Sequence, residues 1–395
     1  MPTLPSLKQI RKLDGKRVLV RVDFNVPVVK KKVMDEARLI ATLPTIQYLT
    51  ERGARVILVS HLGRPEGKKK VALSLQPVAE RLSQLLRKKV IQLPDYKGEK
   101  VEQVIARMKP GGIVMLENIR FSKDEEGNKG ALGEYLSTLA DVFVLDGFGV
   151  AHRADASVVG VTPHLPSYAG LLLEKEIDGL SYIMKAKRHP GVFVLGGAKS
   201  ETKIPVLKNF LSRADAILLG GALYNTYLFS LGYKIGDSLV DVKMVKEAKK
   251  YAGHAKVITP IDVIVGKKDG SEYRQVRIKK FQKTICQKGE AILDIGPETI
   301  GLFASYIKEA KIIIWNGALG YFEQPPYDIG TKSIARLVAA RSKGKAYGVI
   351  GGGETVQVMD QVHMSQYIDL VSTGGGAMLE FLSGKNLPGI DALRK

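Results

Sequence analysis

Arginines recur where apolar runs end. Arg21, Asp23 and Asn25 lie in RVDFNVP, His61 and Arg64 in SHLGRP, Arg120 in LENIRF, and His152 and Arg153 in DGFGVAHR. Guanidinium forks pair with phosphate or carboxylate. Gathered on one rim, these groups suit a small ligand with more than one negative charge. Singly, each arginine reads rather as half of a surface ion pair, and His61 or His152 rather as a satisfied structural histidine than as a ligand contact. Repetition at four run ends favours the binding reading. A second set of run ends carries glycine instead: Gly196–Gly197, Gly220–Gly221, Gly317, Gly351–Gly353 and Gly374–Gly376. Glycine lets backbone approach a ligand closely, and a following helix start offers free N–H groups to phosphate. Single βα turns often use glycine, but five in one half point to a nucleotide rim. Lys199 and Lys203 follow one glycine pair. Four residues apart, they would share a helix face, either solvated or set to neutralise polyphosphate charge. Glu354, after Gly351–Gly353, reads either as a helix-start cap or as a ligand of Mg²⁺ on bound nucleotide.

Strands and helices must position these groups. Apolar runs at 18–23, 55–60, 112–116 and 141–146, then at 192–195, 216–219, 312–315, 347–350 and 368–372, predict strands. The segments between them, such as 36–52 and 75–86, carry helical spacing. Continuous apolar strands separated by helices imply parallel sheets covered on both faces. The expected fold is α/β, with two doubly wound, Rossmann-like domains joined by a hinge helix. The boundaries are 1–169 for the first domain, 170–187 for the joining helix and 188–380 for the second. In open parallel sheets, ligands bind beyond the carboxyl ends of the strands, which is where both sets of residues fall.

The 395 residues allow two or three domains. The single cysteine, Cys286, excludes an internal disulfide framework. Apolar runs are far shorter than a membrane span, and the first residues lack a signal-peptide core; a soluble cytoplasmic protein is expected. Sixty basic residues against forty acidic ones give a net charge of +20. That balance raises a nucleic-acid reading, but the lysines are scattered and no finger spacing or RNA-binding strand accompanies them. A lysine-rich surface that steers anionic substrates accounts for the same charge. Neither GxxxxGK[ST] nor a GxGxxG after the first strand of either half is present, which argues against a P-loop enzyme and against a dinucleotide oxidoreductase. One rim for a small anion and one for nucleotide phosphates suggest phosphoryl transfer, which asks for positioning and positive charge.

At this point the motifs resemble those of phosphoglycerate kinases from end to end. RVLVRVDFNVP, SHLGRP, LENIRF, DGFGVAHRADAS, GGAKSETKI, IIIWNGALGYFE, GGGET and VSTGGGAMLEFLSGKNLPGIDAL occur in the family's order. The resemblance implies reversible phosphoryl transfer between MgATP and the carboxylate of 3-phosphoglycerate, with hinge-bending closure. It implies that Arg21, Asp23, Asn25, Arg38, His61, Arg64, Arg120 and Arg153 hold 3-phosphoglycerate. Gly197, Ala198, Lys199, Lys203, Asn316, Glu323, Gly351, Gly352, Gly353, Glu354 and Thr355 would contact nucleotide. Arg38, Lys199, Lys203, Gly353 and Gly376 would be catalytic, and Glu354 the metal ligand. It also implies a cytoplasmic monomer without a specific nucleic-acid or membrane partner. Residues 381–395, in particular the stretch from Asn386, would pack back on the first domain. The competing reading is a weakened homologue that binds nucleotide or nucleic acid. Four positions depart from the family pattern: Glu354 stands for the usual aspartate of GGGDT, Ala318 for the proline of WNGPMG, Leu145 for the asparagine before DAFG, and Gly147 for that motif's alanine.

Overall fold

The computed structural model describes residues 4–185, 189–251 and 253–394. Two units divide the chain: one holds residues 1–181 together with 386–395, the other residues 182–385. In the first, six parallel strands run in the order Val90–Gln92, Ile113–Met115, Arg55–Val59, Arg17–Arg21, Val142–Leu145 and Ser167–Ala169. The inner strands are apolar along their length because helices cover both faces. Val18, Val20, Val56, Leu58 and Val144 join Leu39, Ile46 and Leu49 of helix Ala37–Glu51 in one core. The chain reverses direction across the sheet on either side of Arg17–Arg21, the position at which ligands bind in such folds.

The second unit orders its parallel strands as Val257–Ile258, Ala216–Leu219, Gly191–Leu195, Ile312–Asn316, Tyr347–Gly351 and Leu370–Ser372. Counted along the chain this is 3-2-1-4-5-6, the doubly wound order. Trp315 and Phe303 are fully buried at its centre.

All nine expected strands are present, with ends shifted by a residue or two. Three more sheet-edge strands, Val90–Gln92, Ser167–Ala169 and Val257–Ile258, are too short to carry a periodic signal. The larger omission is an antiparallel sheet of Tyr273–Arg277, Asp262–Gly266 and Ala291–Ile295, inserted between parallel strands of the second unit. Its outer strand, YRQVR, is mostly exposed and so has no apolar run to betray it.

The expected joining helix is Leu171–Lys185; residues 186 and 187 lie outside the described residues. The contact boundary falls inside it, after Ser181. The returning segment begins at Asn386 rather than at 381. Phe381 and Leu382 complete helix Gly376–Leu382 of the second unit, where Asn209 Nδ2 donates to the Leu382 carbonyl at 2.6 Å. From Asn386 onward the chain belongs to the first unit: Gly389 N–H donates to the Ala151 carbonyl at 2.9 Å, and Leu387, Ile390 and Leu393 are buried.

Each buried apolar side chain of that size contributes about 1.5–3 kcal/mol. Truncation after Lys385 is therefore expected to destabilise the first unit by several kcal/mol. The single tryptophan, Trp315, reports the second unit alone. Urea unfolding should show an early transition by far-UV circular dichroism while the tryptophan transition stays in place; a coincident shift of both would contradict this.

Candidate active site

In the first unit, the ends of four neighbouring strands bring guanidinium groups together. Arg21 closes the central strand and is fully buried. Its Nε donates to Ser157 Oγ at 2.6 Å, its Nη1 to the Val22 carbonyl, and its Nη2 lies 3.4 Å from His61 Nδ1 and 3.8 Å from Glu125. Ser157 Oγ in turn donates to Glu125 at 2.5 Å. Burial pushes the Glu125 carboxyl up, against the pull of Arg21 and Ser157. Neither Glu125 nor Ser157 stands out in the sequence; only their contact with Arg21 identifies them.

Arg38 sits in the first turn of helix Ala37–Glu51, the positive end of the helix dipole, where a cation is disfavoured. Asp23 holds it, with Arg38 Nη1 at 2.9 Å from Oδ2, and the same nitrogen donates to the Asn25 carbonyl at 3.0 Å. Asn25 Oδ1 accepts the Gly63 N–H at 2.8 Å, which ties this loop to the SHLGRP loop. Arg120 Nη1 donates to the Gly63 carbonyl at 3.1 Å. Its Nε and Nη2, although buried, have no hydrogen-bond partner among the described residues; Glu126 and Asp155 come no nearer than 3.5 and 3.8 Å. Buried guanidinium nitrogens without hydrogen bonds are uncommon, and they retain donor capacity.

His61 registers the combined field. Burial drives its pKa well below the ordinary 6.5, and Arg21, Arg120, Arg153 and Arg38 all push in the same direction. Arg153 and Arg21 likewise push Arg120 downward, behind burial itself. Six of the expected residues are therefore gathered: Arg21, Asp23, Arg38, His61, Arg120 and Arg153, with Asn25 bonded to them. Arg64 is exposed at the edge.

In the second unit, two glycine turns meet beside the strands at which the sheet reverses. A Cβ on Gly196 would lie 2.1 Å from the Ala318 carbonyl oxygen, so no side chain fits there. Gly197, at φ +78°, donates to that carbonyl at 2.6 Å. The space over Gly197 is bounded by Glu354 and Lys203: a Cβ there would stand 2.7 Å from Glu354 Oε2 and 3.1 Å from Lys203 Nζ. Helix Ser200–Phe210 carries Lys203 buried in its first turn. Lys199 does not share that face. It is the extended residue before the helix and is exposed, because the turn from Gly197 ends there. Burial lowers the Lys203 pKa, helped by Lys199 and opposed by Glu354.

Glu354 is not a helix cap. Helix Gly353–Gln361 is preceded by Gly352, and no side chain caps it. Instead Glu354 Oε2 accepts the Ala318 N–H at 3.4 Å. Proline, usual in the family pattern at 318, has no N–H to give. The two departures thus fit each other: the longer carboxylate reaches a donor that only the non-proline residue supplies. Leu145 and Ala318 are both buried. Asn316 Nδ2 donates to the Gly351 carbonyl and Thr355 Oγ1 accepts the Gly317 N–H, each at 2.7 Å. These two side chains lock the loops under the rim. Gly376 opens helix Gly376–Leu382.

Beside this rim lies a cavity of about 360 Å³. Gly197, Ala198 and Glu354 line one part of it and Glu323 another. The inserted antiparallel sheet supplies apolar wall through Val263, Ile292 and Leu293, joined by Leu319 and Phe322. Sequence reasoning missed this wall, because nothing in these residue types signals ligand contact. Among the described residues no group of three or more His, Cys, Asp or Glu side chains could hold a metal by itself. A lone carboxylate suits Mg²⁺ only where phosphate oxygens and water complete the shell.

His61 stays neutral in the fold, whereas the unfolded chain takes up a proton below about pH 6.5. Its folded pKa is depressed, so stability is lost as pH falls through that value. An anion seated among the four guanidinium groups cancels part of their field. NMR titration of the His61 ring is expected to show its pKa rising when a phosphate-bearing carboxylate saturates the unit. An unchanged titration would place the anion elsewhere.

Comparison with known proteins gives the family. The family model for phosphoglycerate kinase matches residues 7–385. A phosphoglycerate kinase of Thermosipho africanus is 45% identical over 388 residues, covering 96% of each chain. One of Chloroflexus aggregans is 43% identical, covering 98% of each. The solved phosphoglycerate kinase of Pyrococcus horikoshii superposes with a TM-score of 0.88 at 33% identity, covering 99% of this chain and 98% of that one. That of Coxiella burnetii gives 0.83 at 36%, covering 99% of each. The chain therefore belongs to the phosphoglycerate kinase family.

Proposed function

We propose that the arginine rim of the first unit seats 3-phosphoglycerate and that the cavity and glycine rim of the second seat ATP. The chain is a kinase that transfers the γ-phosphoryl group of ATP to the carboxylate of 3-phosphoglycerate, reversibly, giving ADP and 1,3-bisphosphoglycerate. The observation that carries the assignment of the acceptor site is Arg120. Its buried Nε and Nη2, ion-paired with Glu126 and Asp155 at 3.5 and 3.8 Å but free of hydrogen bonds, lie among three further arginines that act together on His61. Such a cluster calls for an anion with charge at both ends, and 3-phosphoglycerate is one.

A carboxylate is already ionised at neutral pH, so no general base is needed. In the forward direction its oxygen forms a bond to the γ-phosphorus as the bond from phosphorus to the β,γ-bridging oxygen breaks, and ADP leaves with the electron pair. What the protein supplies is position and positive charge. Arg38, held by Asp23 rather than by a distant surface partner, and Lys199, exposed beside the glycine rim, stabilise the transferring group. Lys203 assists from its buried position, and Gly353 and Gly376 present helix-start backbone. The transfer requires the two seats to meet, so hinge closure belongs to the proposal. Glu354, with nucleotide phosphates, would hold Mg²⁺, which offsets phosphate charge when bound. We also assign a cytoplasmic, monomeric enzyme without a nucleic-acid partner. No described helix is long and apolar enough to cross a membrane. The alternative of a homologue that binds without turnover is not favoured, since Arg38, Lys199 and Lys203 are all kept.

The test is turnover dependent on ATP, Mg²⁺ and 3-phosphoglycerate, followed through coupled reduction of the acyl phosphate. Arg38→Ala is expected to lower kcat by about 10²–10³-fold, the scale of losing one transition-state donor. Lys199→Ala should abolish most of the unmodified protein's turnover in the same assay. Near-normal kcat in Arg38→Ala would remove that residue from the catalytic set.

A second measurement addresses the metal. Glu354→Gln keeps the acceptor for the Ala318 N–H and removes the charge. Calorimetry is expected to show MgATP binding weakened more than binding of metal-free nucleotide. Equal losses in the two titrations would mean that Glu354 does not ligate the ion.

A further inference from the structure

Asp146 is fully buried at the end of strand Val142–Leu145 and has no place in the chemistry above. Three elements meet at it. Its own N–H and that of Gly147 both donate to the Arg21 carbonyl, each at 2.9 Å. Its Oδ1 accepts the N–H groups of Leu172 at 2.9 Å and Leu173 at 3.4 Å, in the first turn of helix Leu171–Lys185. Next to it the Leu171 N–H donates to Thr45 Oγ1 at 3.0 Å. Thr45 lies on helix Ala37–Glu51, seven residues and so two turns from Arg38, on the same face. Gly170 makes the approach possible: a Cβ there would stand 2.1 Å from Asp146 Oδ1. Helix Leu171–Lys185 is the segment through which the chain passes from the first unit into the second.

We propose that Asp146 is a positioning residue for the kinase reaction, which fastens the start of helix Leu171–Lys185 to the strand of Arg21 and, with Thr45, to the helix of Arg38. A small displacement at this junction then displaces both arginines and the root of the connecting helix together. Misplacement of about 1 Å far from the chemistry can cost 10²-fold in rate. The ionised carboxylate is the stronger form of the fastening, because a charged acceptor bonds N–H groups more tightly and complements the helix dipole.

The junction is also titratable. Burial raises the Asp146 pKa to about 7, against the Thr45 hydroxyl and the two helix N–H groups; Glu174, one turn along the connecting helix, pushes the same way as burial. From the strand side Arg21 offers its carbonyl, its guanidinium being bonded to Ser157 and the Val22 carbonyl. The folded pKa lies above the unfolded value of 3.8. The fold therefore holds an extra proton between the two, and stability falls as pH rises through that window. Stability and fastening thus favour opposite protonation states.

The experiment rests on the kinase reading and compares the unmodified protein with Asp146→Asn and Asp146→Ala. Turnover, 3-phosphoglycerate affinity and melting temperature are measured from pH 5.5 to 8.5. Asp146→Ala is expected to lower kcat by about 10–100-fold with little change in 3-phosphoglycerate affinity. Asp146→Asn, which keeps the acceptor, should restore most of that rate. The substrate phosphate titrates in the same range, so the informative quantity is the kcat ratio of unmodified protein to Asp146→Asn. That ratio should rise through about pH 7, while the asparagine variant gains in melting temperature relative to the unmodified protein as pH climbs toward 7. A merely structural carboxylate would move rate and melting temperature in the same direction. A flat kcat ratio, or full kcat in folded Asp146→Ala, would overturn the proposal. If Asp146→Ala does not fold, the pH dependence of the asparagine pair decides. Loss of turnover in the unmodified protein itself would instead overturn the kinase reading.

Discussion

Mutual repulsion among buried cations is the constraint around which the first unit is built. Arg21 and Arg120 are nearly or fully buried, and Arg38 and Arg153 act on the same imidazole. Like charges in a region of low dielectric oppose folding unless each is held. The structure answers with a separate set of partners for each: Glu125 and Ser157 for Arg21, Asp23 and the Asn25 carbonyl for Arg38, and the Gly63 carbonyl with Glu126 and Asp155 for Arg120. Arg120 differs from the others in keeping two buried nitrogens, Nε and Nη2, without hydrogen bonds. His61 remains uncharged in this field, so the cluster does not acquire a further positive charge near neutral pH.

The second unit meets a different requirement, close approach of one backbone turn to another. Two turns cross where the parallel sheet reverses, so tightly that Gly196 has no room for a side chain. Lys203 and Glu354 close over Gly197, one buried cation and one carboxylate in the same small space. The apolar wall of the cavity comes from another part of the architecture, the antiparallel insertion. The glycine rim and the apolar wall are thus carried by different elements. At the rim, Ala318 supplies the hydrogen-bond donor that the longer side chain of Glu354 reaches.

Much of this protein was legible in one dimension. The parallel strands announce themselves because strands buried on both faces must be apolar throughout. The cations and glycines announce themselves because they interrupt those runs at the carboxyl ends, where ligands bind in such sheets. Their order along the chain carried the family resemblance, which the family model and the relatives bear out. The sequence alone therefore determined where the parallel strands run, which residue types end them, and the family to which the chain belongs.

Tertiary structure decided what holds those residues and how far each stands from water. Glu125 and Ser157 lie more than a hundred residues along the chain from Arg21, and Thr45 meets Asp146 from another helix; no local pattern encodes such meetings. Lys199 and Lys203 look equivalent by spacing, yet one ends a turn in solvent and the other is buried, because the helix begins only at Ser200. The insertion that walls the cavity was hidden because its outer strand is polar and exposed. Spacing along a chain fixes which groups can share a face. Burial and charge environment depend on which distant segments arrive there, and that is set only when the chain folds.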